Sequence, residues 1–156
     1  MAASIALATF VGANAEDIYL ALTTTDGLAS FWTSNVQTEP IDPPVGGVIQ
    51  FGRPGSARAA ARVESLELHR RVVWAMLSDT PQGAPWTGTV ASWELTRIEH
   101  LDTRVSFQQT NWPEERVQTD LANVTYVWAQ ILCALKGYCE TGRPQPYLGR
   151  SGAQVG

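Results

Sequence analysis

The chain is poor in charge. Only 17% of its 156 residues are Asp, Glu, Lys or Arg, and one Lys stands beside ten Arg. The net charge is −4, so the broad basic face that a nucleic acid needs is missing. The nearest thing to a basic cluster is Arg53, Arg58, Arg62, His69, Arg70 and Arg71. It is interleaved with Glu64 and Glu67 and reads as a solvated sheet surface. There are two cysteines, Cys133 and Cys139. On one helix they lie about 9 Å apart along the axis, too far to bridge. They read as small core or flank residues in a reducing compartment, which points to the cytoplasm. The two histidines, His69 and His100, neighbour neither a cysteine nor each other, so no metal site is expected. No apolar run reaches the roughly 18 residues of a membrane span. "GRPGSAR" lacks the spacing of a phosphate loop, and no cofactor is expected. Repeats and low-complexity tracts are absent.

What is present begins with "MAASIALATFVGANA". Its apolar run and its Ala13-Asn14-Ala15 ending have the look of a secretory signal. No Lys or Arg precedes the run, however, and Ile5, Leu7, Thr9 and Val11 alternate with small residues. The alternation favours a structural strand. In "NAEDIYLALTT", Asn14 is a good N-cap, Glu16 and Asp17 suit the positive end of a helix, and Ile18, Ala21 and Leu22 form an apolar stripe. "DGLASFWTS", residues 26–34, predicts a second short helical turn. "EPIDPPVGG", residues 39–47, is too rich in proline for helix or central strand and reads as a loop.

Between residues 47 and 112 lie five β-rich runs: "GVIQFGR", "ARAAARVESLEL", "RRVVWAMLSD", "TVASWELTRI" and "TRVSFQQTNW". Turn signals part them at Arg53-Pro54-Gly55, His69-Arg70, "TPQGAPWTG" and His100-Leu101-Asp102. Short spacings predict antiparallel hairpins. Ala91, Trp93 and Leu95 share one face; Val105, Phe107 and Gln109 share another, and each strand has a wetter reverse side.

Residues 120–140 predict a helix about 31 Å long. Leu121, Val124, Trp128, Ile131, Leu135 and Tyr138 step by three or four along it. Gly142 and Pro144 end it. Burying this stripe against the apolar side of the sheet hides both. The reading is therefore α+β: a curved antiparallel sheet wrapped around a long C-terminal helix, with two short helices after the first strand. One domain over residues 1–148 is expected, followed by a frayed tail at 149–156.

The ordered set of short motifs resembles the SRPBCC or START-like superfamily, in its branch of activator-of-heat-shock-protein-90-ATPase homologues. "ANAEDIYLALTT", "LASFWT", "VGGVIQF", "LHRRVVWAM", "ASWELTRIEHLDTRVSFQQTNW" and "VWAQILCALKGYCETG" carry the resemblance, over about residues 5 to 148. Asp102 stands where the family usually has Gly, and Gln109 where His is common. Gln109 therefore argues against carrying over any His-based chemistry. The resemblance implies a helix-grip fold with a hydrophobic cavity between sheet and helix. It also implies apolar ligands such as lipids and polyketides, with occasional cyclases and hydrolases.

The residues themselves supply the candidate wall of such a cavity. Trp32, Phe51, Trp74, Trp93, Phe107 and Trp128 are large and flat, with Met76, Val124 and Ile131 as aliphatic neighbours. Gln109 is in phase with Val105 and Phe107, so its buried amide needs a partner: a ligand, or Tyr126, Asn111 or water. No Ser-His-Asp order is readable, and no acid can be placed in a cleft. The expected function is binding of a small hydrophobic molecule. A polyketide-cyclase-type enzyme, with Gln109 or Tyr126 as its polar residue, is one alternative. A co-chaperone-like interaction module is another. The sequence is compatible with a homodimer.

Overall fold

A computed structural model describes residues 3–33, 35–51, 59–78, 86–99, 102–112, 117–144 and 146–147. The chain opens with strand β1 (Ala3–Val11). Helix α1 (Ala15–Thr23) follows, and the Asn14 side chain accepts the Asp17 N–H at 2.8 Å. That cap satisfies one of the N–H groups a helix start leaves unpaired. Thr24 ends α1 through its N–H to the Leu20 carbonyl and starts helix α2 (Thr25–Phe31) by accepting the Gly27 N–H. Gly27 lets the two helices touch: a Cβ there would meet the Ala21 backbone at 2.5 Å.

Strands β2 (Val36–Glu39), β3 (Val48–Phe51), β4 (Ala59–Glu67), β5 (Arg71–Met76), β6 (Val90–Glu99) and β7 (Asp102–Trp112) precede helix α3 (Val117–Thr141). They form a seven-stranded sheet in the order β1-β7-β6-β5-β4-β3-β2, and every neighbouring pair is antiparallel. The hairpins join strands consecutive in sequence, while β1 closes on β7, the last strand.

Alternation sets the faces as expected. Ile5, Val11, Ala91, Trp93, Leu95, Val105, Phe107 and Gln109 are buried; Glu94, Arg104 and Gln108 are exposed. Val124, Trp128, Ile131 and Leu135 present the buried stripe of α3 to the same core. At its far end α3 is clipped to β1. Lys136 Nζ donates to the Phe10 carbonyl at 2.8 Å, and the Glu140 carboxylate accepts the Gly12 N–H at 2.7 Å. The two side chains pair at 2.6 Å. Gly142, at φ 73°, donates to the Tyr138 carbonyl and closes the helix.

Some elements differ from the expectation. Residues 36–39 form strand β2, which the sequence reading left out. It is an edge strand of four residues with an intermediate–exposed alternation, too short and too wet to register as a run. The proline-rich loop begins after it, at the cis Glu39–Pro40 bond. Helix α2 stops at Phe31, leaving Trp32 as its C-cap. Helix α3 runs slightly beyond 120–140 at both ends. The side chain of Leu121, the His100-Leu101 turn and the tail at 149–156 lie outside the described residues.

Candidate ligand site between sheet and helix

Seven aromatic rings from six elements and one connection meet beneath α3. Trp32 ends α2, Phe51 ends β3, Trp74 lies in β5, Trp93 in β6, Phe107 in β7 and Trp128 in α3. Trp86 comes from the β5–β6 connection. Trp32 stacks on Phe51 at a centroid distance of 4.1 Å, and Trp86 stacks on Trp128 at 5.0 Å. Trp93 meets Phe107 at 4.7 Å and Trp74 edge-on at 5.7 Å. Trp128 sits at the centre, touching Trp32, Trp86, Trp93 and Phe107. Offset and edge-to-face contacts of this kind add to the gain from burial.

All ten residues singled out from the sequence (Trp32, Phe51, Trp74, Met76, Trp93, Phe107, Gln109, Val124, Trp128 and Ile131) are buried. Nine belong to one apolar cluster, and Gln109 is hydrogen-bonded to its central ring. In place of an open wall, these rings present ring-on-ring contacts. Trp86 escaped the sequence reading because "TPQGAPWTG" signals a turn, yet it is only 4% exposed. A tryptophan inside an otherwise turn-forming segment was the available signal.

Gln109 is engaged at both ends of its amide. Trp128 Nε1 donates to Gln109 Oε1 at 2.6 Å, and Gln109 Nε2 donates to Thr89 Oγ1 at 2.8 Å. Thr89 Oγ1 in turn donates to the Trp86 carbonyl at 2.6 Å. The relay ties α3 to β7 and to the connection that carries Trp86. It replaces the expected partners Tyr126 and Asn111. Tyr126 lies on the exposed side of α3, where Gln130 donates to its hydroxyl.

Three other indoles are left without acceptors. Among the described residues, Nε1 of Trp86, Trp93 and Trp112 is buried and finds no acceptor. An indole N–H can only donate, and a buried unpaired donor costs about 1–3 kcal/mol. Trp93 is fully buried in the middle of the sheet. Among the described residues the buried polar side chains are Thr33, Thr89, Thr103 and Gln109, and no carboxylate or histidine is among them. The chemistry of the ring cluster is shape, stacking and hydrogen-bond donation.

Away from the ring cluster, a depression lies where the β4–β5 hairpin meets β6 and the start of α1. It is an open cleft of about 570 Å³ lined by Glu67, His69, Arg70, Arg71, Glu94 and Arg97, among others. Arg71 stands 3.7 Å from both Glu67 and Glu94, and Arg97 pairs with Glu16 at 2.9 Å. This is the interleaved, solvated charge expected of that stretch; Arg53 and Arg58 lie outside the described residues. Cys133 and Cys139 are both free. Burial pushes the Cys139 thiol up to about 12, with the carboxylates of Asp17 and Glu140 adding to the shift. Among the described residues no group of three or more His, Cys, Asp or Glu could hold a metal, and no helix is long and apolar enough to cross a membrane.

Comparison with known proteins places this geometry. The family model described as activator of Hsp90 ATPase homolog 1-like protein matches residues 12–140. The Aha1 dimer from Colwellia psychrerythraea, solved in solution, is 33% identical, with 90% of this chain and 98% of that chain covered and a TM-score of 0.75. The crystal structure of SSP2350 from Staphylococcus saprophyticus is 17% identical at a TM-score of 0.71, covering 92% of this chain and 96% of that one. CalU16 from Micromonospora echinospora is 17% identical at a TM-score of 0.64, covering 90% and 78%. These last two share the fold. Among curated proteins none matches. The chain has the helix-grip-like architecture of the first of these relatives, and it belongs to the activator of Hsp90 ATPase homolog 1-like family.

Proposed function

We propose that this protein binds a small, planar, hydrophobic molecule within the aromatic cluster beneath α3, and that the molecule carries a hydrogen-bond acceptor. The observation that supports this most is the buried Trp93 indole, whose N–H has no acceptor in an otherwise well-packed core. A purely structural core has no use for a buried donor there, which a Phe ring would lack. Ring-on-ring contacts suit the exchange of one flat partner for another, and Trp86 is the ring most easily displaced. It belongs to a connection, whereas Trp32 caps α2 and the others sit on strands and on α3. The ligand's plane replaces Trp86 against Trp128, and its acceptor meets Trp93 Nε1.

Fluorene and 9-fluorenone form a matched probe pair that differs by one carbonyl. Both should raise the melting temperature in proportion to occupancy, with fluorenone the tighter. If neither binds, the proposal fails. The cyclase alternative has less support: Gln109 is occupied at both ends and Tyr126 faces outward.

The Colwellia relative favours a second reading. A protein 33% identical over nearly the whole chain bears the Aha1 name and is a dimer. We propose accordingly that this chain contacts an Hsp90-type chaperone and associates as a homodimer. Capture of the chaperone by the purified protein, with a change in its ATP turnover, tests the first part. Sedimentation tests the second. The two free cysteines favour a cytoplasmic setting.

A further inference from the structure

The two edges of the sheet are treated differently. Edge strand β2 is short, ends in Glu39 before a cis proline, and is held by α2 and the following loop. Thr25 Oγ1 bonds Thr38 Oγ1 at 2.7 Å, and the Thr25 N–H donates to Asp42. Charge, proline and a covering loop are the usual guards of an edge. Among the described residues edge strand β1 is guarded only at its C-terminal end, where Lys136 and Glu140 of α3 reach Phe10 and Gly12. It runs nine residues, "ASIALATFV", without a charge or a proline.

The clip from α3 shows which backbone groups of β1 face away from β7. Lys136 takes the Phe10 carbonyl and Glu140 takes the Gly12 N–H. Both are even-numbered positions. In a strand, the N–H and C=O of one residue point to the same side, and the side alternates. The register against β7 is continuous from Ile5 to Val11, so the main-chain groups of Ala6 and Ala8 point out along the free edge; Ser4, at the irregular step between Ala3 and Ile5, keeps the exposed side-chain phase of Ala6 and Ala8. Among the described residues no strand other than β7 pairs with β1. The side chains of Ser4, Ala6 and Ala8 lie on the exposed outer face, where a hydroxymethyl and two methyl groups obstruct little.

We infer that the homodimer forms by antiparallel pairing of β1 with β1 of a second copy, joining two seven-stranded sheets across the edge at Ser4, Ala6 and Ala8. This inference rests on the homodimer reading above. The occupant is a second copy because the stretch is self-complementary. Antiparallel pairing about a two-fold axis matches outward-facing residues with outward-facing residues. The register is limited by the clip. Lys136 already occupies the Phe10 carbonyl, so the ladder is centred on Ala6. Ala6 of one copy then faces Ala6 of the other, and Ser4 faces Ala8. The Colwellia relative, 33% identical, is a dimer, which favours a second copy as the occupant of this edge.

Two substitutions test the edge without touching the β1–β7 ladder. Ala8→Pro removes an N–H that points away from β7. Ala6→Lys leaves the backbone intact and sets two like charges opposite each other on the two-fold axis. Sedimentation velocity on the full chain should show a dimer for the native sequence and a monomer for each variant, with unchanged circular dichroism. In the native protein, exchange of the Ala6 and Ala8 amides should slow by about tenfold or more on going from dilute to concentrated solution. If the native protein is a monomer at all concentrations, the homodimer reading falls and the edge with it. If the native protein and a folded Ala6→Lys variant are equally dimeric, the dimer stands and the β1 edge is not its interface.

Discussion

The indole N–H of Trp128 and the side-chain oxygen of Gln109 lie 2.6 Å apart in the buried space between helix and sheet. This hydrogen bond fixes α3 over β7, and Thr89 extends it to the connection that carries Trp86. Replacing Gln109 with Met keeps the volume and removes both ends of the amide. Urea unfolding should show a loss of about 1–3 kcal/mol, the cost of an orphaned buried donor. Adding Trp128→Phe removes that donor as well. The double variant should then be less destabilised than the sum of the singles, a coupling that a double-mutant cycle reads directly.

Trp93 should behave in the opposite way. Its N–H has no acceptor to lose. Trp93→Phe trades a bicyclic ring for a smaller one but relieves an unpaired donor, so the two effects offset. The expected cost is below about 1.5 kcal/mol in the same unfolding experiment. Trp93→Ala opens a hole between Trp74 and Phe107 and should cost about 3–5 kcal/mol. A Phe variant as unstable as the Ala variant would contradict this account of the indole.

The Glu140 carboxylate is held below the usual range, first by the Gly12 N–H it accepts and then by Lys136. Its folded pKa is therefore below its unfolded pKa. The stability it contributes is present at neutral pH and is lost as pH falls below about 4.5, through the depressed value. The pair is largely solvated, so the amount is under about 1 kcal/mol. Glu140→Gln should flatten the acid limb of the stability–pH curve and leave its alkaline limb unchanged. An identical acid limb in the variant would remove the clip from the account.

The two free thiols should separate cleanly. Cys133 is exposed, whereas burial pushes the Cys139 thiol up to about 12. Only the thiolate reacts quickly. At mildly alkaline pH, iodoacetamide should modify Cys133 alone in the folded protein and both thiols in urea, as mass spectrometry will show.

Gly27 should tolerate no side chain. An added Cβ would meet the Ala21 backbone at 2.5 Å, and backbone cannot swing aside as a flexible side chain can. Gly27→Ala should push α1 and α2 apart at about 1–3 kcal/mol, a typical overpacking cost. At Gly137, where nothing lies within 4 Å, the same change should instead stabilise the helix.

Features set by local period or local bonding were readable in the sequence. The Asn14 cap, the inward phase of Ala91, Trp93 and Leu95, and the stripe Val124, Trp128, Ile131 and Leu135 depend on residues a few positions apart. The burial of Trp86 was only hinted at by a tryptophan in a turn-forming segment, because it comes from stacking on a ring of another element. The phase of Gln109 showed that it points inward. It could not show that Trp128, nineteen residues later, would supply the donor. Strand β2 is defined by its partner β3 more than by its own four residues.

The binding proposal is tested most directly at the indole N–H groups themselves. In a ¹⁵N-tryptophan spectrum, six indole signals can be assigned by substitution, and Trp93→Phe marks its own. On adding 9-fluorenone, the Trp93 N–H resonance should move downfield as it gains an acceptor, and its solvent exchange should slow. Fluorene should bind more weakly and shift neighbouring signals only by ring current. If fluorenone leaves the Trp93 signal where it was while saturating the protein, the acceptor is not met by this indole. If it leaves all six unchanged, the aromatic cluster is a closed core and not a binding site.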